Sequence, residues 1–330
     1  MSKKRITVPF FVPHKGCPNL CIFCDQKIQA GREPLPEEII PVIKQYRKSA
    51  PKSVTKFELA FFGGSFTGID ANYQIQLLRE AKSALENGLI DGIRVSTRPD
   101  AINTEALSLL NKYCVKTIEI GAQSFSDDVL KASGRGHTAE QTIEAAELIK
   151  KNGFDLVIQL LPGLPLDSIE KSIRSAEIAA ELNPSAARIY PAVVFDGTSL
   201  GEMFKSGTYS PLSVEEAVEW TYEIMKIFQK NNINIIRIGI NPVENGNVSK
   251  IIGGAYHPSF GQIVKSRLKR DDMEKLFLFQ DIEPKSTILI PSDYKEEYIG
   301  QKRANIKYLE DKYRTRIFYK FYNGELIKIK

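Results

Sequence analysis

Apolar runs of strand length at residues 6–12, 57–62, 93–96, 117–121, 156–161 and 187–192 alternate with amphipathic stretches of helix length, as at 37–48, 73–86, 139–151 and 168–182. A strand that returns parallel to its predecessor needs a crossover of a dozen or more residues, and every gap here is long enough to supply one. Repetition of that unit leaves few architectures. Helices must pack on the faces of a mostly parallel sheet, and six units give an α/β fold between a partial (β/α)6 sheet and a TIM-like barrel. A further run at 235–240 follows an amphipathic helix at 214–230 that carries the only tryptophan, Trp220. The Asn- and Gly-rich segment 241–254 then breaks the pattern, so the boundary falls there. The expectation is a barrel domain over 1–240 and a small basic α+β domain over 241–330.

Only four cysteines occur, and three of them, Cys17, Cys21 and Cys24, fall directly after the first candidate strand. An odd trio is not a disulfide framework. Three thiolates on one loop suit three irons of a four-iron four-sulfur cube and leave the fourth iron open to a ligand. The same set suits zinc if a fourth ligand such as His14 joins it. Chemistry in parallel barrels gathers at the carboxyl ends of strands, which is where this loop stands. No apolar run is long enough to span a membrane, and Met-Ser-Lys-Lys-Arg is not the start of a signal peptide. A cytoplasmic, reducing compartment is therefore expected, and it suits an oxygen-sensitive cluster.

The cysteine spacing, with an aromatic residue before the last cysteine, resembles the signature of the radical S-adenosylmethionine (SAM) enzymes. That resemblance implies a 4Fe-4S cluster on Cys17, Cys21 and Cys24 and SAM as the second cofactor. It also implies an electron donor such as ferredoxin or flavodoxin and reductive cleavage of SAM to a 5′-deoxyadenosyl radical. In Phe-Phe-Gly-Gly-Ser-Phe, Gly63, Gly64 and Ser65 match the family segment whose backbone receives the SAM ammonium, and adjacent glycines permit that close approach. Gln123, Arg135 and Gln159 match positions that contact the ribose and the carboxylate in oxygen-independent coproporphyrinogen oxidase and its relatives. Arginine suits the carboxylate as a charge-assisted clamp. Where the relatives carry glutamate this chain has Ser96, which is shorter and uncharged, so that cofactor contact is lost or bridged by water.

A second, more specific resemblance runs over about residues 5–240. Ser-Thr-Arg-Pro-Asp, Glu-Ile-Gly-Ala-Gln-Ser, Gly-Arg-Gly-His-Thr, Leu-Pro-Gly-Leu-Pro, Arg-Ile-Tyr-Pro-Ala-Val-Val and Asp-Gly-Thr stand in the order found in the radical domain of the Elongator catalytic subunit. That family modifies the wobble uridine of tRNA with the help of an acetyltransferase domain, of which residues 241–330 show no pattern. The resemblance implies a radical enzyme acting on a tRNA nucleoside. The alternatives are a radical reaction on a small molecule such as a tetrapyrrole, or a nonenzymatic metal-containing RNA-binding protein.

Arg188 and Tyr190 are candidates either to face substrate or to pack at the barrel rim. His137 reads as structural, beside a helix that Thr138 caps, and His257 stands in a glycine-rich loop able to close over the barrel mouth. Cys114 is expected to be buried. The net charge of +5 arises entirely beyond residue 240, where 17 Lys and Arg face 12 Asp and Glu, against 28 and 28 before it. Such a tail suits RNA as well as a solvated surface. Within it, Tyr-Ile-Gly-Gln-Lys-Arg-Ala-Asn-Ile resembles the Gly-x-x-Gly loop of a KH core, with Arg303 where the second glycine would stand.

Overall fold

The computed structural model describes residues 4–12, 16–17, 21–24, 33–240, 248–279 and 287–329, so His14 lies outside the described residues. Strands β1 (Lys4–Val12), β2 (Val54–Gly63), β3 (Gly92–Thr97), β4 (Thr117–Gln123), β5 (Asp155–Leu160) and β6 (Ala186–Ile189) lie in chain order in one sheet. After β7 (Val193–Phe195) has left the sheet, β8 (Asn234–Ile238) joins its far edge beside β6. All six pairings are parallel. The sheet curls into a half-barrel whose outer strands, β1 and β8, do not pair with each other, so the partial form of the expected barrel is the one realised.

Strand alternation sorts the side chains. Leu59, Ile93, Val95, Ile118, Ile120 and Ile158 are fully buried in the main core, beneath helices such as Ala71–Glu86, Ala139–Lys151 and Ile169–Glu181. Alternating with these, and with the equally buried Ile189 of β6, Glu58, Arg94, Glu119, Gln159 and Arg188 point to the opposite, concave face. The helices start where local chemistry fixes them. Ser213 Oγ accepts from Glu216 N (3.2 Å) while Glu216 Oε2 accepts from Ser213 N (2.8 Å), a reciprocal cap on the helix Val214–Lys230.

The sixth strand ends sooner than its apolar run. Pro191 has no N–H to give, Ala192 N donates out of line to Pro162 O (2.9 Å), and Val193–Phe195 pairs antiparallel with β9 (Ile251–Gly254). The glycines of β9 are what let it lie so close: Gly254 has φ +86, and a Cβ there would stand 2.6 Å from Ala192 O.

A second, smaller core contains Met273, Ile288, Ile290, Tyr298, Ile306, Leu309 and Ile317. It lies against a three-stranded sheet in which β10 (Thr287–Pro291) is flanked by β11 (Phe318–Tyr322), parallel to it, and β12 (Lys328–Ile329), antiparallel. The helix Phe260–Phe279 spans both cores, with Phe260 and Val264 in the first and Met273 in the second. Among the described residues no helix is long and apolar enough to cross a membrane.

Candidate active site

The cysteine loop leaves β1 at Val12 and is pressed onto the end of β2. A Cβ on Gly16 would lie 2.1 Å from Ser65 O, and one on Gly63, at φ +115, would lie 2.5 Å from Val12 O. Only glycine permits both approaches. Gly64 N donates to Val12 O (3.0 Å), so the glycine pair is held directly beside the loop. Further along, Ile22 N donates to Ser133 O (3.2 Å) and Leu200 N to Ile22 O (2.8 Å). Phe23, the aromatic residue before the last cysteine, packs on Val129, Leu164 and Ala192. The loop is therefore clamped between the strand ends and the segment that carries β7.

Two arginines meet the cysteines. Arg135 Nη1 stands 3.2 Å from Cys21 Sγ, and its Nη2 donates to Gly121 O (2.6 Å) at the end of β4. Arg98 is buried; it is clamped to Asp100 through Nε (2.9 Å) and Nη2 (2.8 Å), donates to Arg135 O, and has Nη1 3.9 Å from Cys21 Sγ. Burial pushes the Cys17 thiol above its ordinary pKa, and the Arg98 guanidinium opposes that shift. Among the described residues no three Cys, His, Asp or Glu side chains converge closely enough to hold a metal ion, so the three thiols do not meet at one point in this structure. The Cys21 sulfur faces guanidiniums instead.

The other expected site residues surround this point. Gln123 sits at φ +67 in a break of the β4–β5 register, and its Oε1 accepts from Gln159 Nε2 (3.1 Å). Left-handed backbone is uncommon for a residue with a side chain, and here it turns the glutamine over Gly121, where a Cβ would meet Gln123 Nε2 at 2.6 Å. Ser65 is fully buried; its Oγ lies 2.8 Å from Thr97 Oγ1 and accepts from Arg98 N (3.2 Å). Its hydroxyl is thus committed within the protein, which leaves the backbone of 63–65 as the part that faces the loop. Ser96 Oγ is buried and has no hydrogen-bond partner among the described residues, in a crevice it shares with Val12, Phe62 and Gly64. A buried polar atom without a partner is costly in a finished structure and fits a site that takes a polar ligand. The donor set fits a sulfur-bound metal cluster and a zwitterionic ligand: three cysteines on one loop, two guanidiniums, an amide pair and an unpaired hydroxyl.

Arg188 and Tyr190 lie deeper. Arg188 Nε is 3.1 Å from Glu119 Oε2, its Nη1 donates to Tyr190 Oη (2.8 Å), and its guanidinium covers the Phe62 ring at 4.9 Å. Glu119 also reaches Arg94 (3.4 Å), Arg94 reaches Glu58 (2.7 Å), and Glu58 reaches Arg5 (3.2 Å). This chain of charges across the concave face, together with Arg98, was not anticipated. Its signal was present as one charged residue between apolar neighbours in each of β2, β3, β4 and β6.

Of the other described histidines, His257 is held by a local bond and His137 is buried beside a capped helix start. Thr138 Oγ1 caps the helix Ala139–Lys151 at Gln141 N (3.2 Å), and His257 Nδ1 accepts from Ser259 N (3.0 Å) at the start of Phe260–Phe279. Cys114 is exposed, not buried, because it sits at φ +57 where the chain reverses after the helix Thr104–Lys112. His137 is buried, and burial, with Arg135 nearby, pushes its pKa down to about 4. The unfolded chain takes up that proton near pH 6.5, which the folded ring refuses until about pH 4. Stability is therefore undiminished above pH 6.5 and falls as pH drops toward 4, by at most about 3 kcal/mol. His137→Gln should flatten that slope in urea titrations taken at several pH values; an unchanged slope would show that the ring protonates freely.

The family comparison decides the class. The profile of the radical SAM superfamily matches residues 11–176, from β1 through the helix that follows β5. The chain belongs to the radical SAM superfamily. Membership carries that family's cofactors, a 4Fe-4S cluster and SAM, and makes the chain an enzyme. A second profile, the radical SAM C-terminal domain, matches residues 184–270 of this radical SAM enzyme. Among curated relatives, the tRNA uridine(34) acetyltransferase of Methanocaldococcus infernus is 33% identical over 184 residues, covering 50% of this chain and 34% of that protein. Human Elongator complex protein 3 is 28% identical over 261 residues, 65% of this chain and 48% of that protein. The chain thus spans between a third and a half of the length of these relatives. The solved structure of the Methanocaldococcus infernus Elp3 with an N-terminal deletion superposes with a TM-score of 0.64 at 24% identity, over 82% of this chain and 63% of that one, and so shares its fold.

Proposed function

We propose that this radical SAM enzyme modifies a nucleoside in tRNA, with Cys17, Cys21 and Cys24 holding the cluster. When bound, the cluster supplies the one-electron chemistry that breaks a carbon–sulfur bond of SAM and yields a 5′-deoxyadenosyl radical; the electron comes from a ferredoxin- or flavodoxin-like donor. Arg135 carries the cofactor assignment. Its guanidinium stands 3.2 Å from the sulfur of a proposed cluster ligand, so it would be placed to hold the carboxylate of a SAM molecule bound beside that cluster. The backbone of Gly63, Gly64 and Ser65 receives the ammonium, Ser96 offers its unpaired hydroxyl, and the linked amides of Gln123 and Gln159 present donors and acceptors to the ribose. The polar concave face, on which Glu119 pairs with Arg188, would supply a fixed floor for the site.

The tRNA assignment rests on the similarity of the barrel sequence to tRNA uridine(34) acetyltransferases. It is tested with reconstituted, reduced enzyme incubated with SAM, with and without bulk tRNA, followed by mass spectrometry of the digested nucleosides. The expected result is SAM consumption that rises with tRNA and a nucleoside of altered mass. Equal consumption in both arms, with no altered nucleoside, would refute it.

A further inference from the structure

The basic excess of the tail is concentrated. From Gly300 to Lys320 seven Lys and Arg stand against two acids, Glu310 and Asp311. The turn at the head of this stretch is locked from below. Gly300 has φ +74, and a Cβ there would lie 2.9 Å from Ser266 Oγ. The buried Asn305 donates to Ser266 O (2.8 Å) and Tyr298 O (3.2 Å). With the base fixed, Lys302 and Arg303 take left-handed φ values of 50° and 64°, and both side chains project into solvent. Arg303 thus keeps the backbone of a glycine position while adding a charge.

Arg303 borders one shallow depression with Arg314, Thr315 and Arg316. The acid in that depression, Glu310, has its carboxylate engaged by Ile317 N (3.1 Å). Arg316 lies over the Phe318 ring at 5.5 Å, and Phe318, 43% exposed, is followed by the exposed Lys320 on β11, an edge strand. Among the described residues Lys302, Arg303, Arg314 and Arg316 form no ion pair, although this domain pairs other lysines, such as Lys312 with Glu274. Cations unmatched by acids, interleaved with an exposed aromatic along an open strand edge, have the charge and the stacking surface that a polyanion with flat bases requires.

We infer that the track from Arg303 through Arg314 and Arg316 to Phe318 and Lys320 binds single-stranded RNA, with guanidiniums on phosphates and Phe318 beneath a base. The identity of the strand as RNA rests on the proposed function; the track itself rests on its charge and stacking surface. The test titrates full-length protein into a short fluorescent single-stranded RNA at several salt concentrations. Arg303→Glu/Arg316→Glu should weaken binding by at least about tenfold and flatten the salt dependence by about two charges. Phe318→Ala should cost about tenfold with the salt dependence kept. Arg303→Gly, which suits the left-handed backbone, should lose about one charge of salt dependence without strain, and Lys52→Glu, on the turn before β2, should change nothing. Circular dichroism melts matching the wild type establish that each variant is folded. Wild-type binding by the charge-reversed protein would overturn the track while leaving tRNA as substrate, as would duplex RNA competing as well as the single strand. A wild-type protein with no affinity for single-stranded RNA would overturn the track whether or not the nucleoside assay succeeds.

Discussion

Cys21→Ala should abolish iron uptake and SAM turnover together, whereas Arg135→Ala should keep the iron and lose the cofactor. The distinction follows from which atom each residue presents. Cys21 presents a sulfur on the loop that the Gly63 and Gly16 approaches press against the strand ends, and without it the proposed cube would keep two of its three thiolates and should be lost. Arg135 presents a guanidinium that has no ligand to give to iron but is anchored by Gly121 O (2.6 Å) beside that sulfur. If it clamps the SAM carboxylate as proposed, losing that charge-assisted hydrogen bond should weaken SAM binding by about 10- to 100-fold. Arg135→Lys should not restore it, because an ammonium cannot span both the Gly121 carbonyl and a carboxylate as the planar fork does. The readouts are iron content and brown colour after anaerobic reconstitution, then electron paramagnetic resonance of the reduced protein with and without SAM. The Arg135→Ala protein should show the cluster signal, unmoved by SAM at concentrations that shift the wild type. Full iron content in Cys21→Ala would remove this cysteine from the ligand set, and a SAM-induced shift in Arg135→Ala at wild-type concentrations would remove the carboxylate clamp.

What could be read before the fold was known depended on how local the cause was. The helix Val214–Lys230 was legible because its amphipathic pattern is local, and Ser213 and Glu216 fix its start by capping each other across one turn. The strand at 187–192 was read too long because Ile-Tyr-Pro-Ala-Val-Val is continuously apolar, and its break comes from pairing with a strand some sixty residues later. That partner was illegible in turn, since Gly253 and Gly254 argue against a strand until the close approach to Ala192 explains them. The site divides along the same line. The cysteines and the glycine pair announce themselves by type and spacing. Arg98 does not, because its place beside Cys21 joins residues 77 apart in sequence. Cys114 was misjudged because a free cysteine is usually buried, and the left-handed turn that exposes it is set by the chain reversal before β4.

The largest stability effect should come from Glu119, which lies between two buried arginines. Its side chain is 3% exposed, against 5% for Arg94 and 14% for Arg188, so no water is at hand to replace it. The consequences of its loss are unequal. Arg94 would keep Glu58 at 2.7 Å, while Arg188 would keep the Tyr190 hydroxyl, the Phe62 ring and the longer-range field of Glu58 but, among the described residues, no carboxylate within ion-pair distance. Glu119→Ala therefore strands one buried cation and should cost about 3 to 5 kcal/mol in urea unfolding. Removing the stranded charge as well should return much of that loss, because a buried ion pair exchanged for apolar side chains of similar volume is often neutral. Glu119→Leu/Arg188→Met should accordingly be more stable than Glu119→Ala alone. For comparison, removing the exposed Asp196 beside Lys205 should leave stability almost unchanged, because solvent screens that pair. If the double variant is no more stable than the single one, the cost lies in lost packing instead of an unpaired charge. The polar floor would then owe its rigidity to shape, and the alternating charges of β2, β3, β4 and β6 would have to be explained by what they present to the barrel interior.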